Sequence, residues 1–555
     1  HDAEYAAPVP GFYRLKLGQW HYADQVFPPV VTRDTKSVEL LGPAEPVRLD
    51  LPAARNPFQP LPWPKGPLWS GPRPFVEVSS RPEFVAPLGA EPLPAGPFAI
   101  SGRFQKPLEE DRHRVPVTPG TRLRFEVFAE RLGSPVDAAL VVRNESGAEI
   151  ARAEDGPGGA LDPMLEFAVP DKLNMIVVGV LGTPRRGTTG GVYRLTVDPV
   201  PGDSRNADFR LFTPAQRLTL PTGGRVVVPV YAERRGYTGT IELAADALPV
   251  GVKLDGAEIP TSADGVLVTA ARGEGTSDAA ITSWRGRGGN LERPVIVRGH
   301  SLERLQPWLA AELAVAPTSA KADDFAIDWR PLPQTAVLAP AGKYVLPVKI
   351  TRTDPAAPVR LTLLTSQAPI LVNNQPDPNR SIRAEKPVEL AAKVSTAEVT
   401  VLLPPELPAD AYDLAVQAEL LSPDKQRVLA TAFTPVRRLS VRLPVAVKLS
   451  GPATIEMPLD PKAPATAEVK GTVERLNGFT GDVTVTVSGL PQGVQTGPVT
   501  VKATETAFAV PLRVLPTTTP GTTKGLTLSA SVVPDPKQPN VRVKSRDIAL
   551  TLVIK

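Results

Sequence analysis

The chain of 555 residues contains no cysteine, so disulfide frameworks, thiolate metal sites and cysteine nucleophiles are excluded from the start. Histidine, the commonest general base, occurs only four times, as His1, His21, His113 and His300, scattered along the chain. His113 follows Glu109-Glu110-Asp111 at the start of a strand and is expected at the surface. There is no His-Glu-x-x-His, no Gly-x-Ser-x-Gly and no phosphate-cradling loop opening a helix. Gly156-Pro157-Gly158-Gly159 and the run Gly187–Gly191 lack a strand-to-helix context and read as hairpin turns. No apolar run approaches the roughly twenty residues needed to cross a bilayer as a helix. Basic runs interleaved with aromatics are also missing, and the net charge is only +4, so nucleic-acid binding is not expected. The paired arginines Arg185-Arg186, Arg234-Arg235 and Arg437-Arg438 read as solvated charge near turns and strand ends. The chain opens at His1 without an apolar signal core, as a mature or partial product would.

What is abundant is proline. Sixty-five prolines are more than twice the usual share of about 5 %, a density that long helices do not tolerate. Prolines at strand edges and inter-domain turns suit an all-β chain. With 42% hydrophobic and 22% charged residues the sequence is that of a folded protein, and its length calls for several cores.

The clearest module runs from Phe98 to Val197. Strand-like runs at Arg122–Phe128, Ala138–Arg143, Met164–Val169, Met175–Leu181 and Val192–Val197 alternate with turns at Gly133-Ser134-Pro135, Glu145-Ser146-Gly147 and Asp155-Gly156-Pro157. Short strands at this spacing predict an antiparallel sandwich. A second pattern recurs later. Gly236-Tyr237-Thr238-Gly239 matches Gly478-Phe479-Thr480-Gly481, and Leu248-Pro249-Val250-Gly251-Val252 matches Leu490-Pro491-Gln492-Gly493-Val494, both at an offset of 242. Between these copies Tyr344–Ile350 and Val359–Leu364 supply early strands of a degenerate third copy, and Tyr412–Leu420 parallels Gly525–Val533. Ser301–Leu313 allows a short helical turn that Pro307 keeps from extending. Sandwiches repeated in series make a rod or a curved array. The last stretch, Asp547–Ile554, is alternating and apolar: an exposed sheet edge or the last strand of its own sheet.

Three resemblances follow from these residues. Ile100-Ser101-Gly102-Arg103, Pro107–Asp111, Leu132–Asp137, Asn144–Gly147, Leu161-Asp162-Pro163 and Val192–Val197 resemble the bacterial pre-peptidase C-terminal (PPC) domain of large exported planctomycete proteins. The aromatic-Thr-Gly turn followed by Leu-Pro-x-Gly-Val resembles bacterial immunoglobulin-like domains. Val26-Phe27-Pro28-Pro29 with Ser37–Gly42 resembles the small immunoglobulin-like unit that precedes the PPC module. The expected architecture is therefore all-β, a tandem array of antiparallel β-sandwiches, immunoglobulin-like and PPC or jelly-roll-like. Its boundaries are set at 1–22 (closing strand of an upstream PPC-like domain, from the echo of Gly191–Val197 in Gly11–Leu17), 23–91 (small immunoglobulin-like), 92–200 (PPC-like), 201–303, 304–444 and 445–555 (immunoglobulin-like).

The resemblance implies no catalysis of its own and an extracytoplasmic setting: periplasm, cell surface or secreted. The chain reads as a structural, scaffold or adhesion protein whose partners are other proteins or copies of itself. The alternative is a set of accessory domains, binding carbohydrate or protein, of a larger exported hydrolase or redox protein with its catalytic part upstream. No cofactor is implied apart from calcium, for which Asp111, Asp137, Asp155 and Asp162 are the candidate oxygen ligands. The competing reading has Asp137 and Asp162 capping turns through their own backbone. Trp63 and Trp69, in a proline-rich loop, are the candidate ligand platform for a partner such as a polysaccharide, or else seal a joint between domains. Trp284 and Trp308 are further stacking candidates of a carbohydrate-binding array, but they sit close to strand or domain borders, where burial at a joint is the expected role.

Overall fold

A computed structural model describes residues 17–555 except 43–44, 52–57, 67, 72, 80, 90–92, 95, 107, 157–161, 185–190, 201–206, 262, 276–277, 299–306, 332–336, 369, 373–374, 409 and 461. The upstream strand expected within 1–22 lies largely outside the described residues. Among those described there is no α-helix, only strands and short 3-10 turns such as Glu130–Leu132 and Pro307–Ala311. The fold class read from the sequence is the one observed. The chain divides into two compact units, the first chiefly 1–209 and the second chiefly 210–555, with 235–237 and 296–312 belonging to the first.

The first unit opens with a small sandwich of two three-stranded sheets closed over Val31, Val38, Leu40, Leu61 and Val76. A larger sandwich follows. Its four-stranded sheet runs Glu149–Ala153, Val136–Arg143, Met175–Pro184, Glu110–Pro116, and its five-stranded sheet runs Met164–Ala168, Arg122–Phe128, Val192–Pro199, Phe98–Arg103, Glu83–Val85. Period-two alternation puts Leu123, Phe125 and Val127 of one strand and Leu140, Val142, Ile176, Val178 and Val180 of the facing sheet into one core. Glu83–Val85 lies inside the stretch 23–91 assigned to the small domain, yet it pairs in parallel with Phe98–Arg103. It is held there by an ion pair between Arg194 and Glu83 at 2.7 Å, both side chains nearly sealed from water.

The second unit contains three sandwiches that share one strand order. One layer runs Asp208–Thr213, Arg225–Arg235, Gly265–Arg272, Val252–Asp255, joined through Leu291–Val297 to the other layer in a ten-stranded sheet; the separate four-stranded sheets of the next two copies run Phe325–Trp329, Lys343–Arg352, Thr396–Leu402, Arg383–Ala384 and Val445–Leu449, Ala465–Arg475, Ala507–Val514, Val494–Thr496. In each second sheet an early strand runs parallel to the last one: Arg217–Thr222 with Leu313–Lys321, Val337–Leu338 with Arg437–Val441, Thr454–Met457 with Ile548–Ile554. The degenerate middle copy is thus the same fold. Ile548–Ile554 is paired on both sides, so it is an interior strand and presents no free edge. The closing strand of the first of these sandwiches, Leu313–Lys321, lies beyond residue 303, where the sequence sets a boundary. Leu291–Val297 and Leu313–Lys321 are separated by a stretch that local sequence does not mark as part of one sandwich.

One arginine recurs in all three copies, at or next to the end of the long second strand. Arg234 donates to the carbonyls of Gly239, Pro260 and Ala263, Arg352 to those of Ala357, Ala391 and Val394, and Arg475 to those of Gly481, Val501, Lys502 and Glu505. Gly239, Ala357 and Gly481 each stand two residues before the strand that begins at Ile241, Val359 or Val483. Pro260 and Ala263, Ala391 and Val394, Lys502 and Glu505 stand five and two residues before the strand that begins at Gly265, Thr396 or Ala507. The planar guanidinium spreads its donors over three nitrogens and so reaches two crossing loops at once, which the single nitrogen of an ammonium does not. Arg234, read in the sequence as solvated charge, is therefore a structural tie. We expect Arg475→Ala to destabilise the last sandwich by about 1–3 kcal/mol. Amide exchange should accelerate at Gly478–Asp482 and Lys502–Glu505 but not at Gly236–Gly239, and Arg475→Lys should not restore protection.

Candidate functional site

The residues singled out in the sequence fall in two places, the larger sandwich of the first unit and the small sandwich before it. In the larger one, His113 and Asp111 lie on the edge strand Glu110–Pro116, paired with Met175–Pro184, and Tyr193 lies on Val192–Pro199 of the opposite sheet. The Tyr193 hydroxyl donates to Asp111 Oδ2 at 2.8 Å and meets His113 Nε2 at 2.8 Å. With its proton committed to Asp111, Tyr193 accepts from His113, which fixes the proton of the neutral imidazole on Nε2. The Tyr193 ring reaches this position because its register partner is Gly102, where a Cβ would fall 2.2 Å from Tyr193 Cζ. Phe104 packs on the other side with ring centroids 4.9 Å apart. Gly102, part of the Ile100–Arg103 motif, is thus a packing requirement.

His113 is 4% exposed, not at the surface as its acidic neighbours suggest, because strand alternation turns it inward. Burial drives its pKa down to about 4. Burial also raises the Tyr193 hydroxyl well above its ordinary value, with the Asp111 charge adding to the effect. Asp111 is raised by burial, partly countered by the hydrogen bond from Tyr193. The three groups form a closed hydrogen-bonded chain between the two sheets.

Asp162 is fully buried and does not cap its own turn. Its carboxylate accepts from the backbone N–H groups of Ala129, Glu130 and Arg131 at 3.0, 2.8 and 3.2 Å, and from Arg131 Nε at 2.7 Å. It closes the 3-10 turn Glu130–Leu132 across a sequence separation that hid the contact. A carboxylate spent on four donors, one of them a guanidinium, has no lone pair directed at a cation, and this corrects its reading as a calcium ligand. Asp137 sits on Val136–Arg143 and Asp155 in the bend after Glu149–Ala153. Among the described residues no three histidine or carboxylate side chains gather as metal ligands.

In the small sandwich Trp63 and Trp69 stack on each other, ring centroids 5.6 Å apart and planes at 23°. Trp69 also packs against that sandwich's own core and lies 5.6 Å from the His21 ring. Its segment is pinned by His21 N–H donating to the Leu68 carbonyl and Ser70 N–H donating to that of His21. Both rings are half-buried, and each covers a face of the other. Trp284 is buried, its indole N–H donating to Thr282 Oγ1, so it is a core residue and not a stacking surface. The Trp308 side chain lies outside the described residues.

No protein-family model matches the chain, and no curated protein matches it. Solved structures do. An ICAM-5 D1–D4 ectodomain fragment aligns with 62% of this chain and 77% of its own at 11% identity and a TM-score of 0.16. Domains 4–9 of the surface layer protein SbsC align with 77% of this chain and 65% of their own at 12% identity and 0.19. The fibronectin(III)-like modules of Clostridium thermocellum CbhA align with 40% and 92% at 14% identity and 0.15. Likeness this slight says nothing about activity.

The pH dependence follows from His113. Its folded pKa lies below its unfolded value, so the unfolded chain takes up the proton first. The stabilisation is whole above about 6.5, drains away as pH falls towards about 4, and is then constant. The loss is about 3 kcal/mol across that window. Asp111, raised by burial, acts in the opposite sense in the carboxylate range, so the comparison of wild type with His113→Gln isolates the imidazole. Calorimetric unfolding from pH 7.5 to 4 should show the first unit losing stability more steeply in wild type than in His113→Gln.

Proposed function

We propose that the chain is a non-catalytic, extracytoplasmic scaffold that acts through protein–protein contacts in a cell-surface or periplasmic assembly. The observation that carries this reading is the sandwich repeated three times with one strand order and one arginine tie, two copies of which are locked together. The lock lies between the sandwiches that begin at Asp208 and Phe325. Tyr231 Oη donates to the Thr365 carbonyl at 3.2 Å, and Leu267 N–H points at Asp413 Oδ2 at 3.5 Å. Asp413 is 4% exposed and ion-paired with Arg438 at 2.8 Å. Gly265 lies so close that a Cβ there would stand 2.5 Å from the Ser366 carbonyl. A joint that seals the Asp413 carboxylate and leaves no room for a Cβ at position 265 holds one geometry, which a spacer needs and a flexible tether does not. The PPC-like character of Phe98–Val197 and the bacterial immunoglobulin-like turns support the extracytoplasmic setting. Among the described residues no helix is long and apolar enough to cross a membrane.

The test is the native assembly state. Isolated untagged from its source, the chain should be found in the cell-envelope or secreted fraction and in a stoichiometric complex or ordered self-assembly by electron microscopy and mass photometry. A dispersed monomer in the cytosol would end this reading. Spin labels at Lys253→Cys and Lys349→Cys, introduced into a chain with no competing thiol, should give a narrow distance distribution that Gly265→Leu broadens.

A further inference from the structure

The last sandwich carries a cleft of about 490 Å³ lined by Leu443, Val445, Val447, Leu476 and Ile548, with Asn477 and two arginines, Arg442 and Arg546, at its rim. We propose that this cleft is a binding site for a small amphiphile with an apolar body and a single anionic head group, carboxylate or phosphate. The inference stands on this cleft alone and holds whether or not the chain assembles.

The repeat shows why the space exists. In the preceding sandwich Phe325 faces Arg352 and Ile327 faces Ile350; in the last, Val445 faces Arg475 and Val447 faces Val473. Arg352 and Arg475 make the same tie to the same loops, which fixes the correspondence: Val445 stands for Phe325 and Val447 for Ile327. The two strands have the same alternation of buried and exposed positions. The sandwich that begins at Asp208 also places an aromatic and an aliphatic two residues apart, Phe209 and Leu211, both buried. At these two positions along the cleft the last copy carries smaller side chains than its sister, valine in place of phenylalanine and valine in place of isoleucine. The volume lies in the range of small-ligand sites, which are mostly apolar with a few placed polar groups.

The rim decides the charge of the occupant. Arg442 makes only a long contact, 3.5 Å, to the carbonyl of its neighbour Val441, and neither it nor Arg546 meets a carboxylate among the described residues. Two free guanidiniums beside an apolar wall favour an anionic head over a neutral or cationic one, and planar forks suit carboxylate or phosphate oxygens.

The experiment is calorimetric titration of the full chain with dodecanoate and dodecyl phosphate below their micelle concentrations, with dodecyltrimethylammonium as the cationic control. We expect saturable binding of one anionic amphiphile per chain and none of the cation. Val445→Phe, which restores the ring that the sister copy carries, should weaken binding at least about tenfold, as should Arg442→Ala with Arg546→Ala. Preference between the two anions names the head group. Absence of saturable binding, equal affinity for the cation, or unchanged affinity in Val445→Phe would each overturn the site. Should Val445→Phe lower the melting temperature, Val447→Ile gives the same reading with a single added methylene. Binding of acidic peptides with no response to dodecanoate would likewise reject a small-molecule site.

Discussion

Loops that cross the open end of a β-sandwich turn carbonyls inward with no strand to receive them, and a buried carbonyl without a donor costs about 1–3 kcal/mol. In the second unit this problem is solved three times by one device. Arg234, Arg352 and Arg475 each reach from the end of the long strand to the loops before the strands that begin at Ile241 and Gly265, at Val359 and Thr396, and at Val483 and Ala507. Because one side chain binds both loops, the two sheets are held in register at that end. The carbonyls are the same ones by position in every copy although the loop sequences differ: Gly-Tyr-Thr-Gly at 236–239, Gly-Phe-Thr-Gly at 478–481, and Asp354-Pro355-Ala356-Ala357 in the middle. Backbone carbonyls do not depend on side-chain identity, so the tie survives divergence that erases the motif. Lower in the sheet, Val416 N–H donates to Thr434 Oγ1 and Ala530 N–H to Ser545 Oγ, a second polar contact preserved between the middle and last copies.

The first unit uses polar groups differently. The Glu83–Arg194 pair, the Asp162 carboxylate that Arg131 meets from the surface, and the chain from His113 through Tyr193 to Asp111 each span elements far apart in sequence. Such groups add little net stability over apolar residues of the same size, but each has a high cost when mispaired. Their effect is to select one arrangement. Glu83–Val85 can add to the five-stranded sheet in only one register if Glu83 is to meet Arg194, and Tyr193 can cross to the opposite sheet only where Gly102 leaves room.

Strand identity was legible because alternation is written locally. Arg122–Phe128 is observed as read, and Ala138–Arg143 and Val192–Val197 are each extended by two residues. The middle copy was legible from its strands even without its turn motif. What local pattern could not supply is pairing across distance. The closing strand Leu313–Lys321 lies beyond the boundary set at 303, and its parallel partner Arg217–Thr222 is some ninety residues earlier, so that boundary cuts its sandwich short. Glu83–Val85 is too short to announce a sheet of its own. The same limit governed the sites: Asp162 is satisfied by residues more than thirty positions away, and His113 by one eighty away. An arginine at the end of each long strand was a signal within reach, visible once the strands beginning at Ile241, Val359 and Val483 are aligned.

Repetition also explains where new properties can arise in such a chain. The strand order, the arginine tie and the core positions are bound to one another, so change there is paid for throughout the sandwich. The first strand of the middle and last copies is less constrained, since it lies at the edge of its four-stranded sheet and pairs there on one side only. Side chains there fill space at the margin of the core, and trimming Phe to Val costs packing without disturbing the pairs that define the fold. The cleft under Val445 and Val447 is what such trimming leaves behind. In this architecture the framework is fixed by backbone hydrogen bonds and individuality sits at the edges, where a lost side chain opens a site while the sandwich stands.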